Sequence, residues 1–233
     1  MTDSQIAAKL RENWLGVIQQ VQSAASDANR SADGIEVIGV TKYVDATMTR
    51  ALVVAGCRTL GENRPQVLCE KAKLLADLDI QWHQIGHVQR NKVKKLLDHS
   101  VVIQTIDSAR ILSSIGQEAQ RRNLTISVML EVNISGDESK TGLNPNELDS
   151  ILDQVPRESV DVIGLMGMAG LGSDSDSARK QFGEIRTLRD KLATSSGFAL
   201  DHLSMGMSGD FCEAIAEGAT MVRIGSRLFE GLR

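Results

Sequence analysis

From Glu36 onward the chain alternates short apolar runs with longer amphipathic stretches, and the alternation repeats eight times. The runs are EVIGVTK (36–42), RTLGEN (58–63), IQWHQIG (80–86), VVIQTID (101–107), TISVMLEVN (125–133), VDVIGLMGM (160–168), HLSMGM (202–207) and TMVRIG (220–225). Short runs with apolar side chains at neighbouring positions read as strands covered on both faces. Strands that each lead into a helix pair in parallel, because a parallel pair needs a crossover. Eight such units predict an α/β fold, a single (β/α)8 TIM barrel of about 250 residues. An open doubly wound sheet is the alternative. It is weakened because the chain has neither a GxGxxG turn nor a P-loop.

Ahead of the first run, Ile6, Leu10, Trp14, Val17, Ile18 and Val21 fall on one helical face, and Thr2 and Gln5 have the spacing of a capping box. Residues 1–30 are therefore predicted as an extra N-terminal helix packed on the barrel. With no linker, low-complexity tract or short repeat in sight, 1–233 is expected to be one domain.

The formal net charge of −4 argues against a broad electrostatic grip on nucleic acid. Arg90, Lys92, Lys94 and Lys95 are the local exception, and their helical spacing reads as a solvated face. Cys57, Cys69 and Cys212 form no CxxC pair, as expected of free thiols in a reducing compartment. The N-terminus lacks the basic start and apolar stretch of a signal peptide. No apolar run approaches the roughly 20 residues of a membrane span. The expected location is the cytoplasm.

Barrel active sites lie at the C-terminal ends of the strands. Continuing the period of two along the first run puts Ile38, Val40 and Lys42 on one face, so Lys42 is expected to point inward. In the eighth run Met221 and Arg223 share one face and Val222 and Ile224 the other. An arginine there would be buried and in need of an acceptor. Gly225 and Ser226 then offer backbone N–H groups, as in a barrel phosphate site. The seventh run ends in another Gly/Ser turn, where Ser208 and Asp210 are placed to cap the next helix. Together these features suggest a ligand with a phosphate and a carbonyl. His83 and His87 lack the glutamate of a helical HExxH zinc motif, and His83 is expected as an inward polar rim residue. The methionines of LMGM (165–168) read as core filler.

The segments VTKYVDA, LGENRPQ, WHQIGHVQRNK, EVNISGDESKTG, GLMGMA, LSMGMSGDF and MVRIGSRLFEG resemble, in order, those of the YggS-type pyridoxal phosphate homeostasis proteins. The resemblance runs from about residue 36 to the C-terminus. It implies the barrel of the alanine racemase N-terminal domain and pyridoxal 5'-phosphate (PLP) as cofactor. It also implies a role in buffering or delivering PLP and in amino-acid balance, without robust catalysis. Carried over residue by residue, it makes Lys42 the Schiff-base lysine and Arg223 the partner of the pyridine nitrogen. Ser208, Gly225 and Ser226 become phosphate ligands, Asn63 a neighbour of the cofactor, and Met166 a contact to its ring. Two departures alter the rim: Arg64-Pro65 follows GEN, and Tyr43-Val44 follows the lysine.

Three functions remain open: a PLP carrier, a PLP-dependent amino-acid racemase of low activity, and a lysine aldolase acting on a phosphorylated sugar. An acidic partner at the ring nitrogen would make a strong electron sink, whereas an arginine makes a weak one. Racemisation also needs a proton-handling group on each face of the ring. Lys42 serves one face, and the only tyrosine, Tyr43, is expected on the opposite side of the strand. The carrier reading is favoured, with PLP-dependent apoenzymes as recipients and no membrane or nucleic-acid partner. The lack of a racemase-like second domain favours a monomer.

Overall fold

The computed structural model describes residues 1–134, 141–170 and 172–232. Part of the EVNISGDESKTG motif, residues 135–140, lies outside them. Eight parallel strands close into a barrel in chain order. They are β1 (Glu36–Val40), β2 (Thr59–Glu62), β3 (Gln81–Gln84), β4 (Val101–Ile106), β5 (Ile126–Val132), β6 (Val160–Gly167), β7 (His202–Met207) and β8 (Met221–Ile224). β8 pairs back onto β1, with Glu36 opposite Met221 and Gly39 opposite Ile224. Closure removes every exposed sheet edge.

The helices are α1 (Asp3–Asp27), α2 (Ala46–Ala55), α3 (Pro65–Leu74), α4 (Arg90–Leu96), α5 (Ala109–Arg121), α6 (Leu148–Asp153), α7 (Ser175–Ser196) and α8 (Phe211–Ala216). Several starts follow from local chemistry. The Asp45 carboxylate accepts from Met48 N–H at 2.8 Å, and Pro65 opens α3, where its missing N–H costs nothing. That explains one of the two departures: Arg64 is the exposed residue just before the helix. Gly56 ends α2 at φ 123°, and a Cβ there would meet Trp14 Nε1 of α1 at 2.7 Å.

Among the described residues a short 3-10 turn, Ser226–Phe229, follows β8. The seven helices α2 to α8 each follow one of the strands β1 to β7, which leaves a place in the ring. α1 fills it, packing against both α2 and α8. Its capping box is formed, with Thr2 N–H donating to Gln5 Oε1 at 2.8 Å and Gln5 N–H to Thr2 Oγ1 at 3.3 Å. Leu10, Val17 and Val21 are buried, and Ile6, Trp14 and Ile18 pack against the same core. Asn13 fastens the chain end by donating to the carbonyls of Leu228 and Glu230.

Two apolar layers result. The large one lies between strands and helices; Ile38, Met129, Met166 and Met221 form a small one inside the barrel. In β8 the alternation is as expected, with Met221 inside and Val222 and Ile224 in the outer layer.

Candidate active site at the barrel mouth

Lys42 lies at the mouth but not as expected. β1 ends at Val40, and Lys42 and Tyr43 are the corner residues of a turn in which Val44 N–H donates to Thr41 O at 3.1 Å. Lys42 is exposed, and its Nζ sits 5.0 Å from the centre of the Tyr43 ring. Lysine and tyrosine therefore share one side. The period of two fails here because it holds only while the backbone stays extended.

Arg223 emerges from β8 into the barrel with 4% of its surface exposed. Its Nη1 donates to Ser204 O and Ser204 Oγ, both at 2.7 Å, and its Nη2 to Gly167 O at 3.0 Å. The required acceptor is thus supplied by neutral oxygens. Among the described residues no carboxylate forms an ion pair with it. Burial pulls the guanidinium down to about 10, opposed by the fields of Asp210 and Glu131.

Beneath Arg223 a hydrogen-bonded chain crosses the barrel. Ser204 Oγ donates to Gln104 Oε1 at 2.8 Å, and Gln104 Nε2 donates to His83 Nδ1 at 2.8 Å. His83 is inward, but it lies below the rim with 1% exposure, not on it as the sequence suggested. Burial, helped by His202, lowers it to about 4, so the imidazole is neutral and its Nδ1 can accept. Met166 belongs to the apolar floor beside this chain.

The loops after β7 and β8 meet at Ser208, whose Oγ accepts from Gly225 N–H at 3.2 Å. The Gly225 amide is therefore taken within the loop pair, leaving the Ser208 hydroxyl proton able to donate outward. Ser226 is exposed at the start of the 3-10 turn, where first-turn N–H groups have no intrahelical acceptor. Gly206 adopts φ 90°, and a Cβ there would strike Ala214 at 2.5 Å. A Cβ on Gly225 would fill the approach to Val40 at 3.4 Å. Asp210 does not cap α8 with its side chain; it folds back to accept from Met207 N–H at 2.6 Å. That fold-back tightens the turn. Arg227 braces it by donating to Ser208 O at 2.8 Å while also reaching Gln20 of α1.

Asn63 is half-buried just past β2. Its carbonyl accepts from Gln84 Nε2 at 3.1 Å, and Gly86 lets the two loops touch. The mouth thus collects Lys42, Asn63, Ser208, Arg223, Gly225 and Ser226, with Met166 below.

Other groups escaped the sequence reading. Glu131 is the penultimate residue of β5, directly across the closed ring from β1, and is 4% exposed. Its Oε1 accepts from Thr141 Oγ1 at 2.7 Å, and burial raises its carboxyl above the usual range. Nearby, His87 Nδ1 and Asp107 Oδ2 stand 2.6 Å apart. Thr41, Glu62 and Lys71 form a buried cluster behind Lys42. Period-two counting from Met129 would have found Glu131. Lys71 falls on the Leu68–Ala72–Leu75 face of α3 by helical spacing, but its charge argues against burial there.

A groove of about 960 Å³ between α4 and α5, lined by Arg90, Lys94 and Arg110, is an open feature of the flank, away from the mouth. The mouth is the better candidate chemically. It has an amine, a buried guanidinium without a carboxylate, and Gly/Ser loops that donate hydrogen bonds. Such a donor set fits a planar phosphorylated aldehyde with a ring nitrogen.

Residues 18–232 match the family described as alanine racemase, N-terminal domain. A pyridoxal phosphate homeostasis protein of Aquifex aeolicus is 38% identical over 214 residues, covering 91% of this chain and 94% of the relative. An unknown protein from Bifidobacterium adolescentis superposes with a TM-score of 0.91 at 33% identity, covering 98% of both chains. PipY of Synechococcus elongatus PCC7942, solved with PLP bound, gives 0.84 at 30% identity, covering 94% of this chain and 99% of PipY. With a closed eight-stranded barrel, a lysine and an arginine at its mouth and relatives of this similarity along nearly its whole length, the chain belongs to the pyridoxal phosphate homeostasis proteins of the alanine racemase N-terminal domain family.

Proposed function

We propose that the chain binds PLP at the barrel mouth and holds or hands on the cofactor without robust catalysis of its own. One observation carries the reading: Arg223 is a buried cation whose partners among the described residues are neutral oxygens. Held there, it can donate to a ring nitrogen and keep it unprotonated. PLP supplies an aldehyde for a lysine and an electron sink whose strength depends on that nitrogen. In this reading Lys42 provides the amine, and Ser208, Gly225 and Ser226 line the phosphate. Asn63 stands beside the ring, and Met166 closes the floor. Lys42 on an exposed turn suits exchange of the cofactor with PLP-dependent apoenzymes.

We further propose that the protein works as a monomer in the cytoplasm. The free thiols Cys57, Cys69 and Cys212 suit a reducing compartment. No helix among the described residues is long and apolar enough to cross a membrane.

The test is the visible spectrum of the purified, PLP-loaded protein, followed by borohydride reduction and peptide mapping. The expected label is on Lys42, and Lys42→Ala should lose the visible band while staying folded. A colourless loaded protein, or a label on another lysine, would overturn the assignment. The second reading, a racemase of low activity, gains support from Glu131, a buried carboxyl across the mouth from Lys42.

A further inference from the structure

Thr41, the residue before Lys42, is held at four points. Its N–H donates to Gly61 O at 3.0 Å, joining it to β2. Its carbonyl accepts from Val44 N–H at 3.1 Å, closing the turn, and from Lys71 Nζ at 2.8 Å. Its hydroxyl donates to Glu62 Oε1 at 2.7 Å. Lys71 completes the triangle with an ion pair to the same carboxylate oxygen. Thr41 and Glu62 have no exposed surface and Lys71 only 4%. The cluster lies in the layer between the strands and α3.

A buried ion pair is weak grounds for a stabilising role, because apolar side chains of similar volume often do as well or better. This pair is also poorly arranged for its own stability. Glu62 Oε1 carries both bonds, whereas the buried Oε2 has no partner among the described residues. An apolar pair could fill the space but could not grip Thr41. The ion pair supplies one donor for its carbonyl and one acceptor for its hydroxyl. Rotation of the 41–42 peptide would swing the Cα–Cβ bond of Lys42 across the mouth, and both grips oppose that rotation.

We propose that Glu62 and Lys71 are positioning residues for Lys42, setting the direction in which its amine enters the site. Their side-chain bonds go to Thr41 and to each other, so they act through Thr41. The inference rests on Lys42 as the Schiff-base residue. A misaimed lysine would strain the Schiff base about its bond to the ring, altering its titration and the affinity for PLP.

The experiment compares wild type, Thr41→Val, Lys71→Arg and the double variant Glu62→Leu/Lys71→Met. Circular dichroism and thermal melting establish folding. Hydrogen exchange at Val44 N–H in PLP-free protein reads the turn itself. With PLP added, the pH midpoint of the visible band and the dissociation constant read the aim of the lysine. In the double variant Val44 exchange should accelerate, the midpoint should move by about half a unit or more, and PLP should bind about tenfold more weakly. Lys71→Arg keeps a donor for Thr41 and should return part of each change. A folded double variant with wild-type exchange, midpoint and affinity would overturn the proposal. Should the double variant not fold, Thr41→Val, which exchanges the hydroxyl for a methyl group, decides by the same readings. If wild type shows no visible band, the Lys42 assignment fails, while Val44 exchange still tests the clamp.

Discussion

Arg223 and His83 show how neutral neighbours control charged side chains inside this barrel. The arginine keeps its charge on carbonyls and a hydroxyl, and the histidine gives up its charge to burial. The second has a pH signature. His83 titrates near 6.5 when unfolded and near 4 when folded, so the folded state binds fewer protons over that window. Its contribution is present above the unfolded value and is lost as pH falls toward the folded one. Relative to His83→Gln, wild type should lose about 2 kcal/mol between about pH 7.5 and pH 5. Urea midpoints of both proteins measure this, and parallel losses would mean that His83 is not buried neutral. At the phosphate loop, Ser226→Asp would set a carboxylate against the phosphate dianion. Affinity for PLP should fall about a hundredfold or more, while pyridoxal, lacking the phosphate, should be little affected. Equal losses in equilibrium titrations of both ligands would place the phosphate elsewhere.

All eight predicted runs are strands, yet nearly all of them stop short of the predicted ends. β1 stops at Val40 rather than Lys42, β2 at Glu62 rather than Asn63, and β8 at Ile224 rather than Gly225. Lys42, Asn63 and Gly225 are among the omitted residues, on backbone that has left the ladder, whereas Arg223 and Met166 stay within it and point into the barrel. The same holds after β7, where Asp210 serves the turn at Met207 and leaves α8 without a side-chain cap. α1 was legible as an amphipathic helix, but its place as the eighth member of the ring was not, because nothing in its pattern says what covers it. Leu10 has no exposed surface in that seam. Leu10→Ala should cost about 3 kcal/mol, seen as a lower urea midpoint with an unchanged slope. A cost under about 1 kcal/mol would mean that α1 does not complete the core.

Ring closure sets β1 against β5, and thereby Lys42 across the mouth from Glu131. Whether that pair can move protons on both faces of a cofactor separates carrier from racemase. If Arg223 faces the ring nitrogen as proposed and weakens the electron sink, loaded protein should racemise alanine no more than about tenfold faster than free PLP. Incubation with L-alanine in deuterated water, followed by NMR and chiral chromatography, measures it. Turnover on the order of 1 s⁻¹ that disappears in Glu131→Gln would establish the racemase and make Glu131 its second base.

The eightfold alternation, the inward face of Met221 and Arg223, and the Gly/Ser loops at 206–209 and 225–226 were determined by the sequence alone. Each follows from local periodicity or from residue types that a backbone conformation demands. Only the tertiary structure decided the turn at Lys42, the Gly225 amide taken by Ser208, and the His83–Gln104–Ser204–Arg223 chain. It also decided the grip of Glu62 and Lys71 on Thr41. These are contacts between residues up to 100 positions apart, or consequences of where a strand stops. Strand spacing and ring closure bring such groups together, and no pattern along the chain records which side chains will meet.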